Sequence, residues 1–324
     1  MIVFLTGATG FVGGALAKQL AAAGNEIRAV VRDPAKASAL AAMGVRLFPG
    51  DVANKDSMRA PMTGADAVFH VAGWYKIGLR DKSPAVATNV HGTRNVLELM
   101  QELGVAKGVY TSTLAVNSDT HGRLVDETYQ FTGTHISVYD RTKAEAHAIA
   151  EQFMARGLPL VIVQPGLIYG PGDTSSVRTT FVQFIQRKLP PLPRGTAFCW
   201  AHVDDVVRGH ILALEKGKPG RNYFLAGPVH TLVEGIQIAS EITGIPAPRL
   251  TLPAGLLRAS SLLMGVVERV VPVPPEFTAE GLRVLAGTTY IGSNARARQE
   301  LGWNVRTLKE GLPETLADTG WRVP

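Results

Sequence analysis

A single cysteine, Cys199, stands in a chain of 324 residues. No internal disulfide can form and no multi-thiolate metal centre can be built, which suits a reducing cytoplasmic compartment. Concentrated charge is also missing. Lys and Arg number 33 against 27 Asp and Glu, a net charge of +6, but they are scattered without a run. The stripe expected of a nucleic-acid binder is therefore absent, and phosphorylated small molecules suit the mild surplus better. Long apolar runs are lacking too. Met1 to Gly7 has no basic segment and meets glycine too early for a signal peptide, so the mature chain is expected to begin at Met1. The most apolar later stretch, Gly255 to Pro272, is broken by Arg258, Glu268 and Arg269. It falls short of the ~20 residues needed to span a bilayer and is expected to form a packed or lid-like helix. Eight histidines occur without HExxH or comparable spacing, so no metal site is expected.

What is present is α/β grammar. Hydrophobic residues make up 46% and charged residues 19% of the chain, enough for a large core. Short continuous apolar runs, as in strands buried on both faces, alternate with helical patterns. The strands expected are Ile2–Leu5, Ile27–Val31, Val45–Phe48, Ala67–Val71, Gly108–Thr111 and Leu160–Val163. In the first helix Val12, Leu16, Leu20 and Ala23 are expected to face the sheet, with Gly24 ending it. After Gln164-Pro165-Gly166 the pattern changes to Pro-rich loops and longer helices. The fold class read from this is a Rossmann doubly wound parallel sheet with a smaller, mainly helical C-terminal substrate lobe. Residues 1–165, with about 197–226 returning, form the Rossmann domain; 166–196 and 227–324 form the lobe. The runs Phe198–Val203 and Asn222–Leu225, separated by a helix over Asp204–Lys216, are expected to rejoin the main sheet or lie at its edge.

Thr6-Gly7-Ala8-Thr9-Gly10-Phe11-Val12-Gly13 follows the first strand and opens the first helix. Gly7 suits a tight turn, Gly10 admits a phosphate to the helix N-terminus and Gly13 allows close helix packing, so Gly7, Thr9, Gly10, Phe11, Val12 and Gly13 are expected to hold a dinucleotide pyrophosphate. At the end of the second strand, where a carboxylate would favour a free ribose hydroxyl, Val31 is followed by Arg32. This favours the 2′-phosphate of NADP(H), with NAD(H) as the alternative because Asp33 comes next. Asp51 and Val52 after the third strand are placed to bound the adenine, and Ala72 and Gly73 after the fourth are small enough to lie against the cofactor. Tyr139 and Lys143, four apart, share a helix face. A lysine cation beside the phenol, helped by an oxidised nicotinamide, would favour the phenolate, letting Tyr139 exchange a proton near neutral pH, and Lys143 could also hold the nicotinamide ribose. A hydroxyl to hold the substrate oxygen could come from Thr111, Ser112 or Thr113. His202 with Asp204 and Asp205 reads as a helix start capped by a carboxylate rather than as acid–base machinery.

Together these segments resemble the extended short-chain dehydrogenase/reductase family, within the NAD-dependent epimerase/dehydratase superfamily. The TGxxGxxG loop maps onto Gly7, Gly10 and Gly13, and the YxxxK pair onto Tyr139 and Lys143. The hydroxyl after the fifth strand maps onto Thr113, with Ser112 as fallback. Further matches are Asn89-Val90-His91-Gly92-Thr93, the Gln164–Gly172 segment, whose Pro165 is thereby expected at the cofactor, and His202-Val203-Asp204-Asp205-Val206. Val31-Arg32-Asp33-Pro34, Phe69-His70-Val71-Ala72 and Leu301-Gly302-Trp303 resemble dihydroflavonol-4-reductase-like members. Phe198-Cys199-Trp200-Ala201 stands where nucleotide-sugar members usually carry Arg-Asp-Phe. The resemblance implies an NADP(H)-dependent oxidoreductase acting on a small-molecule carbonyl or alcohol, with an epimerase/dehydratase on a sugar-type substrate as the alternative and a noncatalytic dinucleotide sensor behind it. A homodimer is left open.

Overall fold

In a computed structural model describing residues 1–322, six strands follow one another along the first half of the chain: β1 (Ile2–Thr6), β2 (Glu26–Val31), β3 (Arg46–Pro49), β4 (Ala67–His70), β5 (Lys107–Thr111) and β6 (Leu160–Pro165). A seventh, Asn222–Leu225, adds to β6, and all pairings in this sheet are parallel. The order across the sheet is Asn222–Leu225, β6, β5, β4, β1, β2, β3. The chain thus works outward from β1 to β3, crosses back, and works outward the other way from β4. The gap between the carboxyl ends of β1 and β4 is the switch point at which such sheets bind ligands.

Alternation along each strand fills both faces. Val3, Leu5, Val109 and Val163 belong to one core, with Trp303, while Phe4, Tyr110, Leu160 and Ile162 belong to the other. Helix α1 (Phe11–Ala22) buries Gly13, Leu16, Ala17 and Leu20. The buried face differs from the expected one at both ends. Val12 is only partly buried because Gly13 lays its backbone on Gly7 and turns the face by one residue. Ala23 is already the C-cap, and Gly24, at φ +79°, ends the helix as expected.

Ala197–His202 neither rejoins the main sheet nor lies at its edge. That edge is occupied by Asn222–Leu225, and Glu127 Oε1 accepts the Phe224 N–H there at 2.9 Å. Ala197–His202 instead pairs with Leu167–Tyr169, Val229–Thr231 and Thr289–Tyr290 in a second sheet. Tyr169 and Trp200 of this sheet share a core with Phe181, Ile236 and Leu312 from three helices. Helix Val203–Lys216 then returns to the main sheet, its Val206 and Val207 packing with Val163 and Leu225. Gly209 on this helix lets Leu225 and Trp303 come so close that a Cβ would stand 2.6 Å from Leu225 Cδ1.

Trp303 is the largest wholly buried side chain, and its indole N–H donates to the Asp205 carbonyl at 2.7 Å. Trp303→Ala is expected to cost about 3–5 kcal/mol; urea unfolding of both proteins measures it, and a loss below about 1 kcal/mol would show that the site collapses around the deletion.

Candidate active site

The carboxyl edge of the parallel sheet gathers most of the residues expected to act. After β1, Gly7 adopts φ +75°, and a Cβ on it would lie 2.6 Å from the Ala72 nitrogen. A Cβ on Gly13 would lie 2.1 Å from Gly7 O. These contacts force the loop, the start of α1 and the end of β4 together with no side chain between them. Gly10 is the N-cap of α1, with no side-chain capping bond and no acidic residue in the first turn. The first-turn amides, with Thr9 and Gly10 exposed beside them and Phe11 and Val12 partly so, form a backbone cradle with positive dipole character, which fits a pyrophosphate.

At the end of β2, Val31 is buried and Arg32 exposed. Asp33 is committed locally: its carboxylate accepts the Ala35 N–H at 3.1 Å and pairs with Lys36 at 3.4 Å. After β3, Asp51 Oδ1 accepts the Ala53 N–H at 2.8 Å, and buried Val52 packs against Gly92. Ala72 N–H donates to Thr6 Oγ1 at 3.2 Å, and Gly73 is exposed with Lys143 Nζ 3.9 Å from where its Cβ would be. Pro165 is buried at the end of β6, in register with Leu225.

Helix Val138–Ala155 carries the Tyr/Lys pair. Ser137 caps it by accepting the Asp140 N–H at 3.0 Å, so Tyr139 falls in the first turn and Lys143 one turn on. The structure separates the three hydroxyls after β5. Ser112 is buried, its Oγ 2.9 Å from His147 Nδ1. Thr111 Oγ1 lies 2.8 Å from His210 Nε2. Thr113 is partly exposed; its Oγ1 accepts the Ala115 N–H at 3.2 Å, and its side chain lies near enough to the Tyr139 phenol to influence it. Burial pushes the Tyr139 phenol up to about 12, against the smaller downward pull of Thr113. Lys143 is not the group that governs this phenol. Its Nζ donates to the Thr111 carbonyl at 2.7 Å and to Tyr110 Oη at 3.3 Å, 4.9 Å from the Tyr110 ring centroid. With no dinucleotide bound, burial sets the direction of the Tyr139 shift and Lys143 does not counter it.

Burial also pulls Lys143 down to about 7. Beneath it, His70 stacks on Tyr110 at 5.3 Å and bridges Thr6 Oγ1 and Thr93 Oγ1 at 2.8 and 3.0 Å. Burial first, and then the Lys143 charge, hold His70 down at about 3, so the bridge is neutral.

Several participants carry no local signal in the sequence. Asn89, in a π-helical turn Val86–Gly92, accepts the Trp74 N–H at 2.8 Å and donates to Trp74 O and Thr142 Oγ1, both at 3.0 Å. It ties the loop after β4 to the Tyr/Lys helix; its segment was recognisable, its role was not. Asp140 accepts Ser137 Oγ–H at 2.7 Å and Tyr290 Oη–H at 2.9 Å, and burial pushes it up to about 6. Glu280, buried on helix Ala279–Val284, accepts the Val138 N–H at 2.5 Å and the Gly78 N–H at 3.2 Å and pairs with Lys82 at 3.3 Å.

His202 lies away from the cleft and is itself the helix cap, Nδ1 accepting the Asp204 N–H at 3.3 Å, where a carboxylate cap was expected. Asp205 instead receives Arg306 Nε at 3.0 Å. His202, Asp204 and Glu314 converge, but Arg306 Nη1 holds Glu314 at 2.8 Å, so a cation already serves that carboxylate.

With this geometry in place, the comparisons are specific. Residues 3–226 match the model of the NAD dependent epimerase/dehydratase family. A Synechocystis protein named for dihydroflavonol 4-reductase is 32% identical, covering 97% of this chain and 93% of the relative. Sterol demethylase protein B of Methylococcus capsulatus is 31% identical over 98% of each chain. The crystal structure of gox2253 superposes with a TM-score of 0.83 at 29% identity, covering 98% of this chain and 97% of that one.

Desolvating Lys143 has a measurable cost. With its folded value near 7 and its ordinary value 10.5, the cost of burying the ammonium is full below pH 7 and shrinks as pH rises toward 10.5. Lys143→Met is therefore expected to be more stable than the parent at neutral pH by on the order of 2 kcal/mol, allowing for the lost bond to Thr111 O, with the gap closing toward pH 10. Denaturant titrations across that range check it; a pH-independent gap would contradict it.

Proposed function

The chain belongs to the NAD dependent epimerase/dehydratase family, and from that premise we propose that it is an NADPH-dependent reductase of a ketone or aldehyde on an apolar or aromatic skeleton, with Tyr139 as proton donor. The observation that carries this reading is that Lys143 Nζ lies beside Gly73, one turn along the helix from Tyr139 with Thr113 near its phenol, next to a backbone cradle that fits a dinucleotide.

When bound, NADPH supplies the hydride. The amides from Thr9 to Gly13 bind its pyrophosphate, with Gly7 and Gly13 keeping the approach clear. Arg32 pairs with the 2′-phosphate, a contact supported by its exposure and by the local commitment of Asp33. Asp51 and Val52 bound the adenine, while Ala72, Gly73 and Pro165 offer small surfaces to the nicotinamide half. Lys143 holds the nicotinamide ribose, its ammonium oriented by Thr111 O. The Thr113 hydroxyl orients the substrate oxygen, and Tyr139 gives that oxygen its proton. A phenol held near 12 is protonated at neutral pH, the state in which reduction needs it. The relatives' names support an aromatic or apolar skeleton, one for a dihydroflavonol and one for a sterol. The stack of partly buried Phe198 on buried Tyr290, ring centroids 5.6 Å apart, supports the same class where nucleotide-sugar members usually carry charge. We assign substrate choice to residues 166–196 and 227–324 and the compartment to the cytoplasm, which the lone buried Cys199 suits.

Tyr139→Phe is expected to lower kcat by about 10²–10⁴-fold on an aryl ketone that the parent reduces. Undiminished turnover would remove Tyr139 from the reaction. Arg32→Ala is expected to weaken NADPH binding by about 10–100-fold and leave NADH binding unchanged; equal effects on both would assign Arg32 no part in cofactor choice.

A further inference from the structure

Large apolar side chains are unevenly spread over the surface. Among the described residues thirteen are exposed, and eight of these lie between Leu250 and Phe277. Helix Ala254–Val267 carries four of them, and Val270 and Val271 follow directly after it. One side of it, Leu257 and Ser261, is buried, with Leu257 sharing a small core with Leu282 and Ala286. At about 100° per residue, Leu262, Leu263 and Val266 fall on the opposite side, and Val270 continues it into the following turn. They are 78, 65, 63 and 83% exposed. No charge interrupts residues 259–267.

Of the four exposed charges flanking this face, three are arginines. Arg249, Arg258 and Arg269 are exposed. Glu268 is turned inward, its carboxylate accepting the Ala279 N–H at 2.9 Å, which leaves Glu276 as the opposing exposed charge on the strip. An apolar helix face rimmed by arginines is the pattern of a helix lying in a lipid–water interface. There the guanidinium groups meet lipid phosphates and the apolar side chains pass below them. No helix among the described residues is long and apolar enough to cross a membrane, so any attachment by this helix is peripheral.

We propose that residues 250–277 dock on an anionic bilayer surface, helix Ala254–Val267 lying in the interface with Leu262, Leu263, Val266 and Val270 inserted. The inference stands apart from the reductase reading. It would put the bilayer one helix away from the cleft, since the adjoining helix Ala279–Val284 carries Glu280, which holds Gly78 and Val138 at the site.

Flotation with vesicles tests it without turnover. The full chain is expected to float with vesicles of phosphatidylcholine and phosphatidylglycerol, and to do so far less with phosphatidylcholine alone or in high salt. Leu262→Glu with Val266→Glu, both on the exposed face, is expected to reduce the floated fraction by about tenfold or more while keeping the parent's unfolding midpoint. The proposal is overturned if the parent stays in the dense fraction, if it floats equally with neutral vesicles, or if the double variant floats as well. A dimer in solution that the double variant splits would overturn it in favour of a second copy.

Discussion

The backbone of Gly7 lies against that of Ala72 with no room for a Cβ between them, and the site is arranged around that contact. It joins the carboxyl ends of β1 and β4 at the point where the strand order reverses, and it fixes the direction in which α1 leaves the sheet. Gly13 repeats the device one turn later by resting on Gly7 O. A side chain at either position would push the helix away and fill the space that a pyrophosphate needs. The same closeness brings Gly73 beneath Lys143, so the cradle and the Tyr/Lys helix border one cleft.

Around that cleft the protein holds ionisable groups in their uncharged or readily discharged forms. Burial lowers Lys143 to about 7 and His70 to about 3 and raises Tyr139 to about 12. Such a site destabilises the free protein, and the cost is offset elsewhere by a sheet packed on both faces and by Trp303 locking the C-terminal segment onto helix Val203–Lys216. The nearby carboxylates, Asp140 and Glu280, hold the helix start rather than face the proposed chemistry. Glu280 does so by reaching from the far end of the chain to the amide next to Tyr139.

Features decided within a few residues were legible in the sequence. The alternating cores of the strands, the glycine spacing after β1 and the one-turn separation of Tyr139 and Lys143 follow from periods of two and 3.6 residues, and the family resemblance rested on them. What could not be read depends on distant partners. After β5, His210 and His147 take the Thr111 and Ser112 hydroxyls, and Thr113 is left partly exposed. The strand Ala197–His202 looks like a main-sheet strand because it is buried on both sides, yet its partners come from three separate segments. Glu280 and Tyr290 sit 142 and 150 residues from their partners in the Tyr/Lys helix, and no spacing announces them. The exposed face of Ala254–Val267 shows the converse: its apolar pattern was plain, but which side packs inward is fixed by Leu282 and Ala286.

The central claim is that the cradle between β1 and β4 holds a nicotinamide dinucleotide and prefers the one with a 2′-phosphate. Equilibrium titration of the purified protein with NADPH and with NADH, followed by nicotinamide fluorescence, tests it most directly. Saturable, reversible binding with NADPH at least about tenfold tighter, the worth of one charged contact at Arg32, is predicted. No saturable binding of either nucleotide would contradict the claim, and NAD retained through purification would shift the reading to an epimerase that recycles its cofactor.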